Sequence, residues 1–154
     1  MTNGDESFFV EGEAIGALGN STGKEAFEIL VNGLERQNTY LDIIPIKAIA
    51  GLVAFAKNEQ NKDMVPEIIS SLIKKSRYGN SNAVREYATL SLVDFVLVDG
   101  TINQQVFDHL MKLLYDTWVH VRKNAYADFG NALAYDKIMN KHIDSNIVNQ
   151  VIAN

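Results

Sequence analysis

Apolar positions along the chain recur with helical spacing, and one pattern, V-x-x-x-A-x-x-x-L, appears four times. The copies are Val10/Ala14/Leu18, Ile44/Ala48/Leu52, Val84/Ala88/Leu92 and Val121/Ala125/Phe129. Their first positions lie 34, 40 and 37 residues apart, the period of a helical-repeat array. Within each copy the i, i+4, i+8 rhythm sets three residues on one helical face, and the central alanine lets a neighbouring helix approach closely. A second apolar series alternates with the first: Phe27/Leu30/Val31/Leu34, Val65/Ile68/Ile69/Leu72, Phe107/Leu110/Met111/Leu114 and Ile147/Val148/Val151. The pattern predicts Ala-centred helices near 7–18, 40–57, 83–98 and 118–133, and alternating helices near 24–35, 63–76, 103–115 and 139–152. The expected architecture is all-α, a single repeat domain over 1–154 with about eight helices in antiparallel pairs.

The punctuation fits this scheme. Gly19-Asn20-Ser21-Thr22-Gly23, Gly79-Asn80-Ser81-Asn82 and Asp99-Gly100-Thr101 are turn and cap clusters, with Thr101 or Asn103 available to cap the following helix. Pro45 and Pro66 fall near helix starts, where a missing N–H costs little. Val93–Val98, VDFVLV, is rich in β-branched residues but continues the face of Leu92; it is expected to stay helical, with packing overriding local propensity. No segment is expected to form a strand pair.

Asn80-Ser81-Asn82-Ala83-Val84-Arg85-Glu86-Tyr87-Ala88 and Asp116-Thr117-Trp118-Val119-His120-Val121-Arg122-Lys123-Asn124-Ala125 resemble the turn and second helix of a HEAT repeat, where Asp or Asn precedes V-R-x-x-A. The resemblance implies an α-α superhelix, a HEAT/ARM-like solenoid, in which Arg85 and Arg122 form a structural ladder reaching an acidic or amide group of a neighbouring turn. Glu11 and Pro45 stand at the equivalent positions of the first two copies, so the ladder is expected to be incomplete there. The chain opens on a second-type helix and closes on a first-type one, which implies a fragment of a longer chain or a docked partner.

A narrower resemblance covers the first thirty residues. Ser7-Phe8-Phe9-Val10-Glu11-Gly12-Glu13-Ala14-Ile15-Gly16-Ala17-Leu18-Gly19 with Lys24–Leu30 is similar to the S-x-F-V-x-x-x-A-x-x-A-L-G stretch in the carboxy-terminal helical region of M1-family zinc aminopeptidases. This implies a non-catalytic domain covering an active-site cavity located elsewhere in the enzyme, with the catalytic domain of the same polypeptide as partner. The HExxH helix and GxMEN segment of that chemistry do not occur here. Zinc is thus expected in the rest of the enzyme and no cofactor in this chain. The alternative expectation is a free-standing HEAT-repeat scaffold that binds a protein or peptide.

Composition narrows the classes further. Fourteen Lys and Arg against nineteen Asp and Glu give a net charge of −5, which repels polyanions and argues against nucleic acid. The chain has no cysteine, so thiolate metal sites and cysteine nucleophiles are excluded. No apolar run approaches the roughly 20 residues that span a bilayer, and the acidic start lacks the positive charge of a signal peptide. A cytoplasmic location and no membrane partner are therefore expected. Charge is polarised: residues 1–46 hold eight acids and two bases, the remainder eleven acids and twelve bases.

Individual residues yield no catalytic constellation. His109, His120 and His142 lack the i, i+4 spacing of a helical zinc couple, and His109 reads as a surface or boundary residue. Asp94, Asp99, Asp128 and Asp136 fall on different elements, Trp118 reads as edge packing, and Lys74-Lys75-Ser76-Arg77 reads as a solvated helix end favoured by the dipole. Gly12 and Gly16 read as a helix-packing pair. The positions two and three beyond each motif valine point away from the seam, so Glu13, Lys47, Glu86, Tyr87, Lys123 and Asn124 form the expected concave binding ridge. Lys47 or Lys123 is the expected contact for a peptide carboxylate in the aminopeptidase reading.

Overall fold

The computed structural model describes residues 4–37, 39–139 and 152–153. It is mostly helical. The α-helices are α1 (Gly4–Ala17), α2 (Lys24–Leu34), α3 (Ile43–Ala56), α4 (Val65–Lys75), α5 (Asn82–Ser91), α6 (Gln104–Leu113) and α7 (Val119–Met139). Short 3-10 turns cover Leu18–Asn20, Tyr40–Asp42, Glu59–Met64 and Leu92–Phe95. Among the described residues no helix is long and apolar enough to cross a membrane. The chain divides at Ser91/Leu92 into two compact units, so the third motif copy is itself divided, with Val84 and Ala88 in the first unit and Leu92 in the second.

The first unit is organised around α3. Its sequence, IIPIKAIAGLVAFA, is apolar almost all round, which suits a helix packed on several sides. α3 contacts α1, α2, α4 and α5, and Ile44, Ala48, Leu52 and Phe55 are fully buried. α2 supplies Ala26, Phe27, Leu30, Gly33 and Leu34 as a single buried stripe, with the Phe27 and Phe55 rings 6.0 Å apart. α4 begins at Val65-Pro66, where the ring is tolerated, and buries Ile68, Ile69, Leu72 and Ile73. A buried amide fastens the turns: Asn61 donates from Nδ2 to the carbonyls of Ser21 (3.1 Å) and Phe55 (2.9 Å) and accepts from the Gly23 N–H (3.3 Å). Three backbone groups are satisfied by one buried side chain.

The first motif copy differs from the expected register. Val10 is 70% exposed and Ala14 is exposed, while Gly12, Ile15 and Gly19 are buried. α1 and the 3-10 turn after it meet α3 through glycines: a Cβ on Gly12 would lie 2.9 Å from Ile43 Cγ2, and one on Gly19 in the turn would lie 2.6 Å from the Gly51 carbonyl oxygen. Removing the Cβ atoms lets two backbones approach more closely than Val and Leu permit, so the glycine face wins over the V-x-x-x-A-x-x-x-L face.

The second unit corrects the reading of Val93–Val98. After the 3-10 turn, Leu97–Val98 (β1) pairs antiparallel with Thr101–Ile102 (β2). Asp99 (φ 49°) and Gly100 (φ 72°) occupy the two central positions of the hairpin, the Asp-Gly conformation that matches the twist of flanking strands. Asn103 then caps α6, its side chain accepting from Val106 N–H at 3.2 Å. α6 packs on α7, with the Phe107 and Phe129 rings edge to face at 4.9 Å and Val121 and Ala125 fully buried. His109, expected at the surface or its boundary, is buried on α6. α7 runs to Met139, beyond the expected end near 133. The helix expected near 139–152 and His142 lie outside the described residues, apart from Met139 and Ile152.

Candidate functional site

In the first unit, the carboxy-terminal ends of α2 and α4 and the amino-terminal ends of α3 and α5 border a polar cleft of about 220 Å³. Arg36, Asp42, Lys75, Asn80 and Ser81 are among its lining residues. The Tyr40–Asp42 turn reaches it in a costly conformation: Leu41 (φ 50°) and Asp42 (φ 55°) are both left-handed, where a side chain is disfavoured. The carboxylate of Asp42 accepts the Ser81 hydroxyl at 2.6 Å, and Ser81 Oγ accepts the Val84 N–H at 3.2 Å. One hydroxyl thus caps α5 and anchors the strained turn. The Thr39 hydroxyl beside this turn is buried and has no hydrogen-bond partner among the described residues.

Charge is concentrated at the cleft's edge. Glu35 accepts from Lys74 (3.0 Å) and Lys75 (2.9 Å), which ties the end of α2 to the end of α4. The Lys75 hydrogen bond, aided by Lys74, holds the Glu35 carboxyl below its ordinary value of 4.5 despite opposition from desolvation. Lys75 is 8% exposed, and its ammonium lies where an unpaired charge is expensive. Asn80 braces the same corner by donating to the carbonyls of Lys74 and Arg77, both at 3.1 Å. The Ser81–Asp42 contact lacks the nucleophile–base–orienter arrangement of covalent catalysis. Among the described residues no group of three or more His, Asp or Glu is placed to hold a metal ion.

The two motif arginines brace their own helix starts. Arg85, 3% exposed, donates from Nε to the Ser76 carbonyl (3.4 Å) and from Nη1 to Asn82 Oδ1 (3.3 Å). Its guanidinium also lies 4.4 Å from the Tyr78 ring centroid, a stacking geometry that favours the cation. Arg122 donates from Nη1 to the carbonyls of Asp116 (2.7 Å) and Thr117 (3.1 Å). Ser76 closes α4 and Asn82 opens α5, whereas Asp116 and Thr117 sit in the turn leading into α7. Asp116 completes the second turn by accepting the Trp118 N–H at 2.8 Å.

The six ridge residues are distributed over both units. Glu13 on α1 and Lys47 on α3 form an ion pair, and the Lys47 stem covers Gly12 and Gly16. Lys47 thereby works within the α1–α3 contact. On α5, Tyr87 is 47% exposed and Glu86 half-buried; on α7, Lys123 is exposed and Asn124 half-buried. Trp118 is 37% exposed, with its ring 5.7 Å from that of His120. Asn61, Glu35 and the Asp42–Ser81 contact stand out only in the folded chain. Each depends on partners some forty residues away, for which a local pattern holds no signal. No family model, curated protein or solved structure matches the chain.

Proposed function

We propose that the chain is a non-catalytic helical-repeat module, a HEAT-like array whose seams stack successive helices and whose outer faces bind a protein or peptide. The supporting observation is how the chain uses its functional-looking residues. Arg85, Arg122, Asp116 and Ser81 are engaged in bracing helix starts, whereas aromatic groups such as Tyr87, Tyr115 and Trp118 are presented outward. Exposed aromatics supply large, rigid contact area and are the residue type enriched in binding hot spots.

The experiment is affinity capture with the purified chain, followed by calorimetric titration of the purified partner against the chain and its Tyr87→Ala and Trp118→Ala variants. Saturable one-to-one binding, weakened about tenfold by one of these exposed substitutions, is the expected result. Turnover of a substrate by the chain alone, or loss of binding only in variants that unfold, would overturn the reading.

A second reading rests on the Ser7–Gly19 stretch, which is similar to the carboxy-terminal region of zinc aminopeptidases. There the chain would cover a cavity whose zinc site belongs to another part of the polypeptide. Alanine at Lys47 and Lys123 in such an intact enzyme is then expected to change turnover in a way that depends on peptide length. Unchanged turnover across lengths removes that reading and leaves the first intact.

A further inference from the structure

α7 carries a second face besides its buried one. At about 100° per residue, Val119, Lys123, Tyr126 and Gly130 fall within about 60° of one another, in a row centred about 130° from the buried stripe of Val121, Ala125 and Phe129. Val119 is 53% exposed, Lys123 and Gly130 are exposed and Tyr126 is half-buried. Gly130 distinguishes this row, because glycine is disfavoured in a helix interior. In α1, α2 and α3 the helical glycines sit where another element comes close: a Cβ added at Gly12, Gly16, Gly33 or Gly51 would lie 2.9, 3.5, 3.0 or 2.5 Å from its nearest neighbour. A Cβ added at Gly130 would meet nothing within 4 Å. Charge distinguishes the row as well. Lys123 has no hydrogen-bond or ion-pair partner among the described residues, and the row contains no Asp or Glu. Arg122, at its edge, is held by the carbonyls of Asp116 and Thr117, neutral groups that leave its charge uncompensated.

We propose that this face of α7 docks an acidic amphipathic helix of a partner protein, one that sets Asp or Glu against Lys123 and Arg122. This deepens the binding-module reading and rests on it. The row runs about 17 Å along the helix axis, with Val119 and Tyr126 as apolar contacts on either side of Lys123. At Gly130 a partner backbone can come as near as α3 comes to α1 at Gly12, which suits a helix laid along the row. Charge selects the occupant. A cation in the middle of a closing apolar contact is costly unless a carboxylate meets it, and none on this face does. Lys123 stands near the centre of the row, so a second copy of α7 laid face to face would bring it close to its own counterpart and set like charges together. An anionic lipid surface would oppose the net charge of −5 on the whole chain.

The test uses the full chain and two fluorescein-labelled peptides of about 18 residues, roughly five helical turns. Both carry the same Leu/Ala stripe, flanked in one by Glu and in the other by Lys. Fluorescence anisotropy is expected to show binding of the Glu-flanked peptide about tenfold tighter than of the Lys-flanked one. Lys123→Glu is expected to reverse that preference, and Gly130→Leu to weaken the Glu-flanked peptide about tenfold or more by filling the space a partner backbone needs. Thermal melting followed by circular dichroism reports on the fold of both variants. Both positions are exposed, so their melting temperatures are expected to match or exceed that of the unmodified chain. A clear loss of melting temperature in Gly130→Leu would show that the face is already covered within the chain, and it overturns the proposal. Equal binding of both peptides, binding of neither, or a preference unchanged by Lys123→Glu overturns it too. So does dimerisation abolished by Gly130→Leu in sedimentation velocity, or binding to vesicles of anionic phospholipid abolished by Lys123→Glu. A captured partner whose affinity survives both variants but falls with Tyr87→Ala overturns this surface and leaves the binding-module reading standing.

Discussion

α1 and α3 carry the same apolar motif and bury it differently. In α3, Ile44, Ala48 and Leu52 are fully enclosed; in α1, the equivalent Val10 and Ala14 face solvent, and contact is made by Gly12 and Gly16 and by Gly19 in the turn that follows. The two helices differ in what lies around them. α3 has α1, α2, α4 and α5 against it, so most of its apolar sides find a neighbour. α1 has α3 as its main neighbour, with α2 touching it less, and one side is satisfied by the contact that brings the backbones closest. A recurring motif therefore marks a face able to pack, while the number of neighbours decides whether it does.

The largest expected effect tests this contrast directly. Leu52→Ala is expected to cost about 2–5 kcal/mol, the transfer term plus the cavity left behind, whereas Val10→Ala is expected to fall within about 0.5 kcal/mol of the unmodified chain. Urea unfolding of the two variants measures the difference. Similar losses at both positions would show that the outer face of α1 is covered after all.

The glycine contact is open to a finer test. At Gly19 an added Cβ would meet the Gly51 carbonyl oxygen at 2.6 Å and the Gly51 Cα at 2.9 Å, backbone atoms that cannot swing away. Gly19→Ala is therefore expected to destabilise by about 1–3 kcal/mol. At Gly16 the nearest atom, the Lys47 carbonyl oxygen, is 3.5 Å from the added Cβ, an ordinary contact. Gly16→Ala is expected to be neutral or to stabilise by about 0.5–1 kcal/mol through helix propensity. Thermal unfolding of the pair locates the closest approach; equal losses would place it nearer the middle of α1.

Electrostatics adds the smallest term, and it ties two pairs of helices. Glu13–Lys47 ties α1 to α3, and Glu35 with Lys74 and Lys75 ties α2 to α4. Because the folded state lowers the Glu35 pKa, its stabilisation is complete above the ordinary value near 4.5 and is lost as pH falls from there through the lowered value. Glu35 is half-exposed, so less than about 1 kcal/mol is expected from this titration. Glu35→Gln should flatten stability against pH over that window in acid-range denaturation curves. It should also lower stability at neutral pH, since Lys75 is left buried without its carboxylate. An unchanged pH profile would assign the acid sensitivity to another carboxylate.

Several features were legible in the sequence because their causes are local. The alternation of apolar stripes along α2, α4 and α6 follows from helical periodicity, the Asn103 cap from side-chain reach, and the Gly12/Gly16 contact from the absence of Cβ atoms. The hairpin at Leu97–Ile102 was legible too, since Asp99-Gly100 between Val98 and Thr101 is a strong local hairpin signal. The helical continuity of Leu92 was weighted above it, and the α-helix in fact stops at Ser91. His109, between Asp108 and Leu110, reads as a surface or boundary residue, and its burial follows from its place beside Leu110 and Val106 on the inner side of α6.

The sequence by itself determined which stretches are helical, where most of them start and stop, and which faces are apolar enough to pack, because spacing, caps and propensities act within a few residues. Tertiary structure alone decided which of two apolar faces α1 would use, that Asn61 would join turns some forty residues apart, and that Asp42 and Ser81 would meet. Those outcomes depend on which backbones come close after the chain has collapsed. Distance in space between residues remote along the chain leaves no periodic trace in the order of their side chains.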